Sequence, residues 1–236
     1  MDNKNCLLIL GMHRSGTSCL AGSLQRCGLY LGKVQKKSNS NFNKKGNYEN
    51  REVYKIQDQI LRLNKGSWYC PPINKMIVHP YHVDKLKEVI DELRGVKIFG
   101  IKDPRTLLCL DTWKEILNKD FRMVGSFRHP MSVAKSLENR NGIPIDEGLE
   151  LWKVYNRRLI DEHKKCAFPL IHFDLSDIKV YKKSLMLICQ ELQLRYSPLR
   201  LYYFLDEILD HYSNKTLVLP DNCKDQYNYL LKNVIQ

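Results

Sequence analysis

Along this chain of 236 residues, apolar and polar positions come in blocks whose period changes. Cys6-Leu7-Leu8-Ile9-Leu10 is apolar throughout and is broken by Gly11, which predicts a short strand buried on both faces. Over 17–28 the apolar positions recur as Leu20, Leu24 and Cys27, the spacing of one helix face. The stretch 33–47 is polar and rich in Lys, Asn and Ser, and predicts a loop. A helix over 49–63 follows, with Val53, Ile56, Ile60 and Leu63 on one face. Gly66, Pro71, Pro72 and Pro80 then make 65–80 irregular.

Beyond residue 80 helices and strands take turns. Helices are predicted over 83–93 and 107–117, from Pro130 onward, over 145–163 with Leu149, Trp152 and Leu159 as the buried stripe, and over 178–192 and 198–210. Strands are predicted over 96–101, 121–127 and 168–173. The last stretch, 212–236, carries scattered aromatics and lysines without a strong period. Strands alternating with helices predict an α/β fold of three layers, a central parallel sheet flanked by helices, with ligands at the carboxyl ends of the strands. There is no internal repeat and no clear boundary, so 1–236 reads as a single domain.

The first strand runs into Gly11-Met12-His13-Arg14-Ser15-Gly16-Thr17-Ser18. Strand, glycine-bounded loop and helix start form an anion cradle, because unpaired N–H groups and the positive end of the helix dipole face one point. The spacing Gly11-x4-Gly16 makes the fold P-loop-like. Thr17-Ser18 stands where a nucleotidase loop carries Lys followed by Ser or Thr. The cradle lacks its lysine.

Composition narrows the partners. A net charge of +12 favours anionic ones: nucleotides, acidic polysaccharides, nucleic acid or an anionic membrane surface; a merely solvated basic surface is the plain alternative. The lysines are dispersed rather than interleaved with aromatics along one face, which argues against specific nucleic-acid binding. Eight cysteines include no C-x2-C pair, and a reduced, cytoplasmic setting is expected. The first apolar run is too short for a signal core, and no stretch has the length of a membrane span. His79, His82, His163 and His211 lack metal-ligand spacing, so no metal is expected.

Two further strand ends carry candidate chemistry. In Arg128-His129-Pro130-Met131-Ser132-Val133-Ala134-Lys135-Ser136, Pro130 suits the first turn of a helix. Val133 and Leu137 would face the core, and Ser132 and Ser136 a more exposed face. Arg128 and Ser136 can converge on one anion, the arginine as a fork and the serine through its hydroxyl; a surface arginine beside an ordinary helix is the alternative. The other end is Gly100-Ile101-Lys102-Asp103-Pro104-Arg105, where Asp103 and Arg105 could equally form a local ion pair beside a solvated Lys102.

Together these segments resemble the sulfotransferases that use 3'-phosphoadenosine 5'-phosphosulfate (PAPS), chiefly the bacterial type with tyrosylprotein- and carbohydrate-sulfotransferase motifs. The resemblance implies that Gly11, His13, Arg14, Ser15, Gly16, Thr17 and Ser18 hold the 5'-phosphosulfate, and that Arg128 and Ser136 hold the 3'-phosphate. By the same resemblance, Lys102 and Arg14 assist catalysis at the sulfuryl group, and Arg105 adds positive potential near sulfuryl donor or acceptor. A glutamate base is implied in Gly46-Asn47-Tyr48-Glu49-Asn50-Arg51-Glu52, with Glu49 the first choice and Glu52 the second; the two could share a helical face, or merely complement the helix dipole. His13 reads either as a contact to PAPS or as solvent-facing. His172 fits a structural role, His129 is not assigned as base, and Lys215 and Lys224 are only conceivable contacts. The implied reaction is sulfuryl transfer to an acceptor hydroxyl, a glycan first, then a tyrosyl peptide or small alcohol. The alternatives are a degenerate P-loop kinase, whose metal would need Asp103 or Asp174, and a non-catalytic anion or nucleic-acid binder.

Overall fold

The computed structural model describes residues 5–35, 46–205 and 217–235. The architecture is α/β. Four parallel strands, β1 (Cys6–Leu10), β2 (Phe99–Lys102), β3 (Phe121–Phe127) and β4 (Leu170–His172), lie in the order β2-β1-β3-β4. Cys6 stands opposite Phe99 on one side of β1 and opposite Phe121 on the other, and Gly125 stands opposite Leu170.

The two-residue period of β1 divides the core. Cys6, Leu8 and Leu10 enter one apolar cluster, while Leu7 and Ile9 enter another. The first cluster gathers α2 (Arg51–Leu63), α3 (Pro80–Leu93), α4 (Leu110–Leu117), α5 (Pro130–Asn141) and α6 (Ile145–Lys165), through Val53, Leu86, Trp113, Val133 and Trp152. The second gathers α1 (Thr17–Arg26), α7 (Ile178–Glu191) and α8 (Pro198–Leu205), through Leu24, Leu185 and Leu201. Helices thus cover both faces, and β1 is buried along its whole length. This is the expected three-layer arrangement. Since β2 and β3 flank β1 on opposite sides, the chain leaves the sheet in two directions there and opens a crevice at the carboxyl end of β1.

Several local expectations are corrected. Leu63 is exposed, and Gln57 takes a buried place on α2 because its Oε1 accepts a hydrogen bond from Trp113 Nε1 at 2.8 Å. Ser132 and Ser136 are buried rather than exposed, since α6 packs along α5 and Arg14 reaches Ser136 from the loop after β1. The segment 212–236 is not formless: α9 (Lys224–Lys232) occupies part of it and buries Tyr227 and Leu230. With buried Cys223 these residues keep the i, i+4, i+7 spacing of a helix, which the surrounding Lys, Asp and Asn obscured. Lys215 and residues 36–45 and 206–210 lie outside the described residues. Among the described residues no helix is long and apolar enough to cross a membrane.

Candidate functional site

The loop after β1 is shaped by three residues with positive φ: Gly11 (147°), Arg14 (65°) and Gly16 (83°). A Cβ on Gly11 would meet the carbonyl of Ser126, and one on Gly16 would meet the ring of Phe173, so both positions require glycine. Gly16 stands at the cap position before α1 and no side chain caps that start, which leaves the first-turn N–H groups aimed out of the loop. The loop is tied to its neighbours: Ser126 Oγ donates to Ser15 O at 2.6 Å, and Arg14 Nε donates to Ser136 Oγ at 2.8 Å. Thr17 is buried, its methyl against Gly11.

Lys102 ends β2 beside this loop. Its ammonium donates to Ser18 Oγ at 3.0 Å, to Asn47 O at 2.8 Å and to Glu49 Oε1 at 2.8 Å. Three acceptors match the three N–H bonds of an ammonium, so a side chain only 1% exposed has every donor satisfied. The alternative of a solvated Lys102 is therefore ruled out. A nucleotidase loop carries its lysine at the first residue of the helix, where Thr17 stands; here the adjacent strand brings an ammonium beside Ser18 instead.

Glu49 is held by backbone rather than by a helix. Gln35 N donates to Glu49 O and Tyr48 N to Gln35 O, both at 3.1 Å, and Asn50 caps α2 by accepting from Glu52 N and Val53 N. Glu49 therefore precedes the helix while Glu52 lies inside it. The expected shared face does not form. Glu52 is 58% exposed and pairs with Lys55 at 3.0 Å, so it is not on the wall with Lys102.

Next to Lys102, Asp103 accepts from Arg105 N at 2.8 Å and from Arg105 Nη1 at 3.1 and 3.2 Å. The Arg105 guanidinium lies 4.4 Å from the centre of the Tyr54 ring. Burial, aided by the charge of Glu49, pushes the Asp103 carboxyl up to about 6, against the pull of Arg105 and Lys102. Burial also opposes the charge on Arg105, but Asp103 outweighs it and raises the guanidinium pKa. His13 stacks on Trp68 at 4.4 Å. Burial, then the nearby Arg105 and Lys102, hold the imidazole pKa well below its usual range, so His13 is neutral at pH 7.

At the end of β3, Arg128 is buried with its guanidinium 5.3 Å from the Phe173 ring, the same ring that closes on Gly16. Its carbonyl accepts from Trp152 Nε1 at 3.0 Å, which fixes the strand end. His172 is structural: it stacks on Phe127 and lies 3.1 Å from the Tyr227 hydroxyl, and burial lowers its pKa to about 4. His129 is likewise lowered, by burial and by Arg128.

A cleft of about 380 Å³ opens where these elements meet; Arg14, Thr17, Ser18, Glu49, Lys102 and Arg105 lie on its wall. Arg128 and Ser136 sit behind the loop rather than on that wall. Other wall residues escaped sequence reasoning. Arg140 is one helical turn beyond Ser136, so helical spacing from a named site residue would have found it; Arg51, and Tyr54 one turn further on, had no such anchor. Trp68 comes from an irregular segment and carried no such signal. Among the described residues no group of three His, Cys, Asp or Glu side chains is arranged to hold a metal ion. No protein-family model matches this chain, and no curated protein matches it.

Proposed function

We propose that the protein is a sulfotransferase that moves a sulfuryl group from PAPS to an acceptor hydroxyl, with a glycan as the favoured acceptor. The observation that carries this reading is the Lys102–Glu49 pair, 2.8 Å apart, set against a phosphate-type loop that lacks its own lysine. The residues fit a polyanionic sulfuryl donor. The first turn of α1 is uncapped, Arg14, Lys102 and Arg128 surround the loop, and two buried polar atoms, Ser15 Oγ and His13 Nε2, have no hydrogen-bond partner.

In this reading each side chain has one task. The loop N–H groups, Arg14, Thr17 and Ser18 hold the 5'-phosphosulfate, and Arg128 with Ser136 holds the 3'-phosphate. Glu49 takes the proton of the acceptor hydroxyl as the acceptor oxygen bonds to sulfur and the bond from sulfur to the bridging phosphate oxygen breaks. Lys102 offsets the charge left on that oxygen. Positioning and electrostatics carry such transfers, as they do phosphoryl transfer. The kinase alternative is weakened at Asp103, whose two carboxylate oxygens are both engaged by Arg105. Eight cysteines without a disulfide fit a reducing, cytoplasmic setting.

Calorimetric titration tests the reading. In EDTA the protein should bind 3',5'-bisphosphoadenosine more tightly than 5'-AMP. Tighter binding of ATP with Mg²⁺ than of bisphosphoadenosine would move the assignment to a kinase.

A further inference from the structure

The cleft wall contains two kinds of cation. Lys102, Arg105 and Arg14 each hold a protein partner, in Glu49, Asp103 and Ser136. Arg51 and Arg140 do not: among the described residues neither guanidinium has a hydrogen-bond or ion-pair partner. Exposed cations elsewhere are of both kinds: Lys55 pairs with Glu52 and Lys85 with Glu88, while Lys65 and Lys183 have no side-chain partner among the described residues, so what sets Arg51 and Arg140 apart is their place on the cleft wall. Arg51 opens α2 and Arg140 closes α5, so they reach the cleft from two different helices. Among the described residues the one carboxylate on that wall, Glu49, is already engaged by Lys102.

The remaining surface is aromatic and amide-bearing. Trp68 and Tyr54 present ring surface, and Gln35 and Asn141 present side-chain amides. Rings pack on the C–H faces of sugars, and amides exchange hydrogen bonds with hydroxyls. A tyrosyl peptide would instead want an apolar slot, yet Leu137 is the one aliphatic side chain, Pro104 apart, on the wall among the described residues.

We propose, building on the sulfotransferase reading, that the acceptor is an anionic glycan whose carboxylate or sulfate groups are gripped by Arg51 and Arg140, with its sugar rings on Trp68 and Tyr54. The two arginines determine specificity and take no part in the chemistry. Their contribution is charge-assisted hydrogen bonding to the acceptor's anions, weakened by salt because both are exposed.

The test is direct binding, followed by transfer kinetics. The probes are a hyaluronan hexasaccharide, its carboxyl-reduced neutral form, a sulfated chondroitin hexasaccharide and a tyrosyl peptide rich in Glu. At least one anionic hexasaccharide should bind about tenfold or more tightly than the neutral one, and Arg51→Gln and Arg140→Gln should each remove about that factor. In transfer assays the loss should appear in KM with kcat nearly unchanged. Comparing the carboxylated and sulfated sugars tells which anion is read. Equal binding of charged and neutral sugars, unaltered affinity in both variants, or tighter binding of the peptide would overturn the proposal. Binding of 3',5'-bisphosphoadenosine, measured alongside, tells the two readings apart. If it binds and the sugars are not discriminated, only the acceptor proposal fails. If it does not bind while the arginine-dependent sugar binding stands, the sulfotransferase reading fails instead.

Discussion

The two strand ends that flank β1 carry different chemistry. At the end of β2 an ammonium and a carboxylate share a hydrogen bond of 2.8 Å, and Ser18 and Asn47 complete the shell around Lys102. At the end of β3, Arg128 lies over Phe173, and Arg14 reaches across and donates to Ser136 Oγ. A proton can be taken up and a developing charge offset at the first end. In the proposed reading the second end anchors an anion. One β1 loop lies between them, so a sulfuryl donor held across it would present its reacting end to β2 and its anchoring end to β3.

That division can be broken by substitution, and the effects should fall off from the β2 end outward. Glu49→Gln should slow turnover by ~10²–10⁴-fold, the range for losing a general base, while bisphosphoadenosine affinity stays nearly intact. Glu52→Gln, on exposed helix surface, should change neither; a dead Glu52→Gln with an active Glu49→Gln would reverse the assignment of base. Lys102→Met should cost about 2.7–4 kcal/mol of barrier, read as kcat. It also leaves Glu49 without its cation, so a double variant with Glu49→Gln should lose less than the two single losses combined. Arg128→Ala should act on affinity instead, weakening bisphosphoadenosine by about tenfold or more and 5'-AMP far less. Equal losses for both nucleotides would remove the 3'-phosphate assignment.

A smaller effect, on stability rather than on activity, concerns Asp103. Its folded-state pKa of about 6 lies above the ordinary 3.8, because burial disfavours the charged form. The folded state therefore holds this proton more tightly than the unfolded state. The stability this confers is present below about pH 4 and is lost as pH rises through about 6. Asp103→Asn cannot titrate, so the stability of the wild type relative to this variant should decline between those values, as read from urea midpoints. A difference that rises with pH over that window would show that Arg105 and Lys102, not burial, dominate at Asp103.

The sequence made β1 and the loop after it legible because both obey short-range rules: an unbroken apolar run, then two glycines that backbone geometry requires. Lys102 was legible as a strand-end cation, but its three acceptors come from three chain segments and follow only from the fold. Glu49 could not be separated from Glu52 by spacing, since what separates them is the Asn50 cap and the pairing of 48–49 with Gln35. The α2 stripe was misread at two places: Leu63 at the helix end is exposed, and a buried glutamine looks polar until its indole partner is known. Trp68 was out of reach for another reason: irregular segments have no period to read.

The most direct measurement is transfer of radiolabelled sulfate from PAPS to the anionic hexasaccharides in the presence of EDTA, comparing the wild type with Glu49→Gln and Lys102→Met. Label should appear on a sugar hydroxyl with the wild type and fall by at least about two orders of magnitude with either variant. Equal labelling by wild type and both variants, or labelling that requires Mg²⁺, would contradict the account.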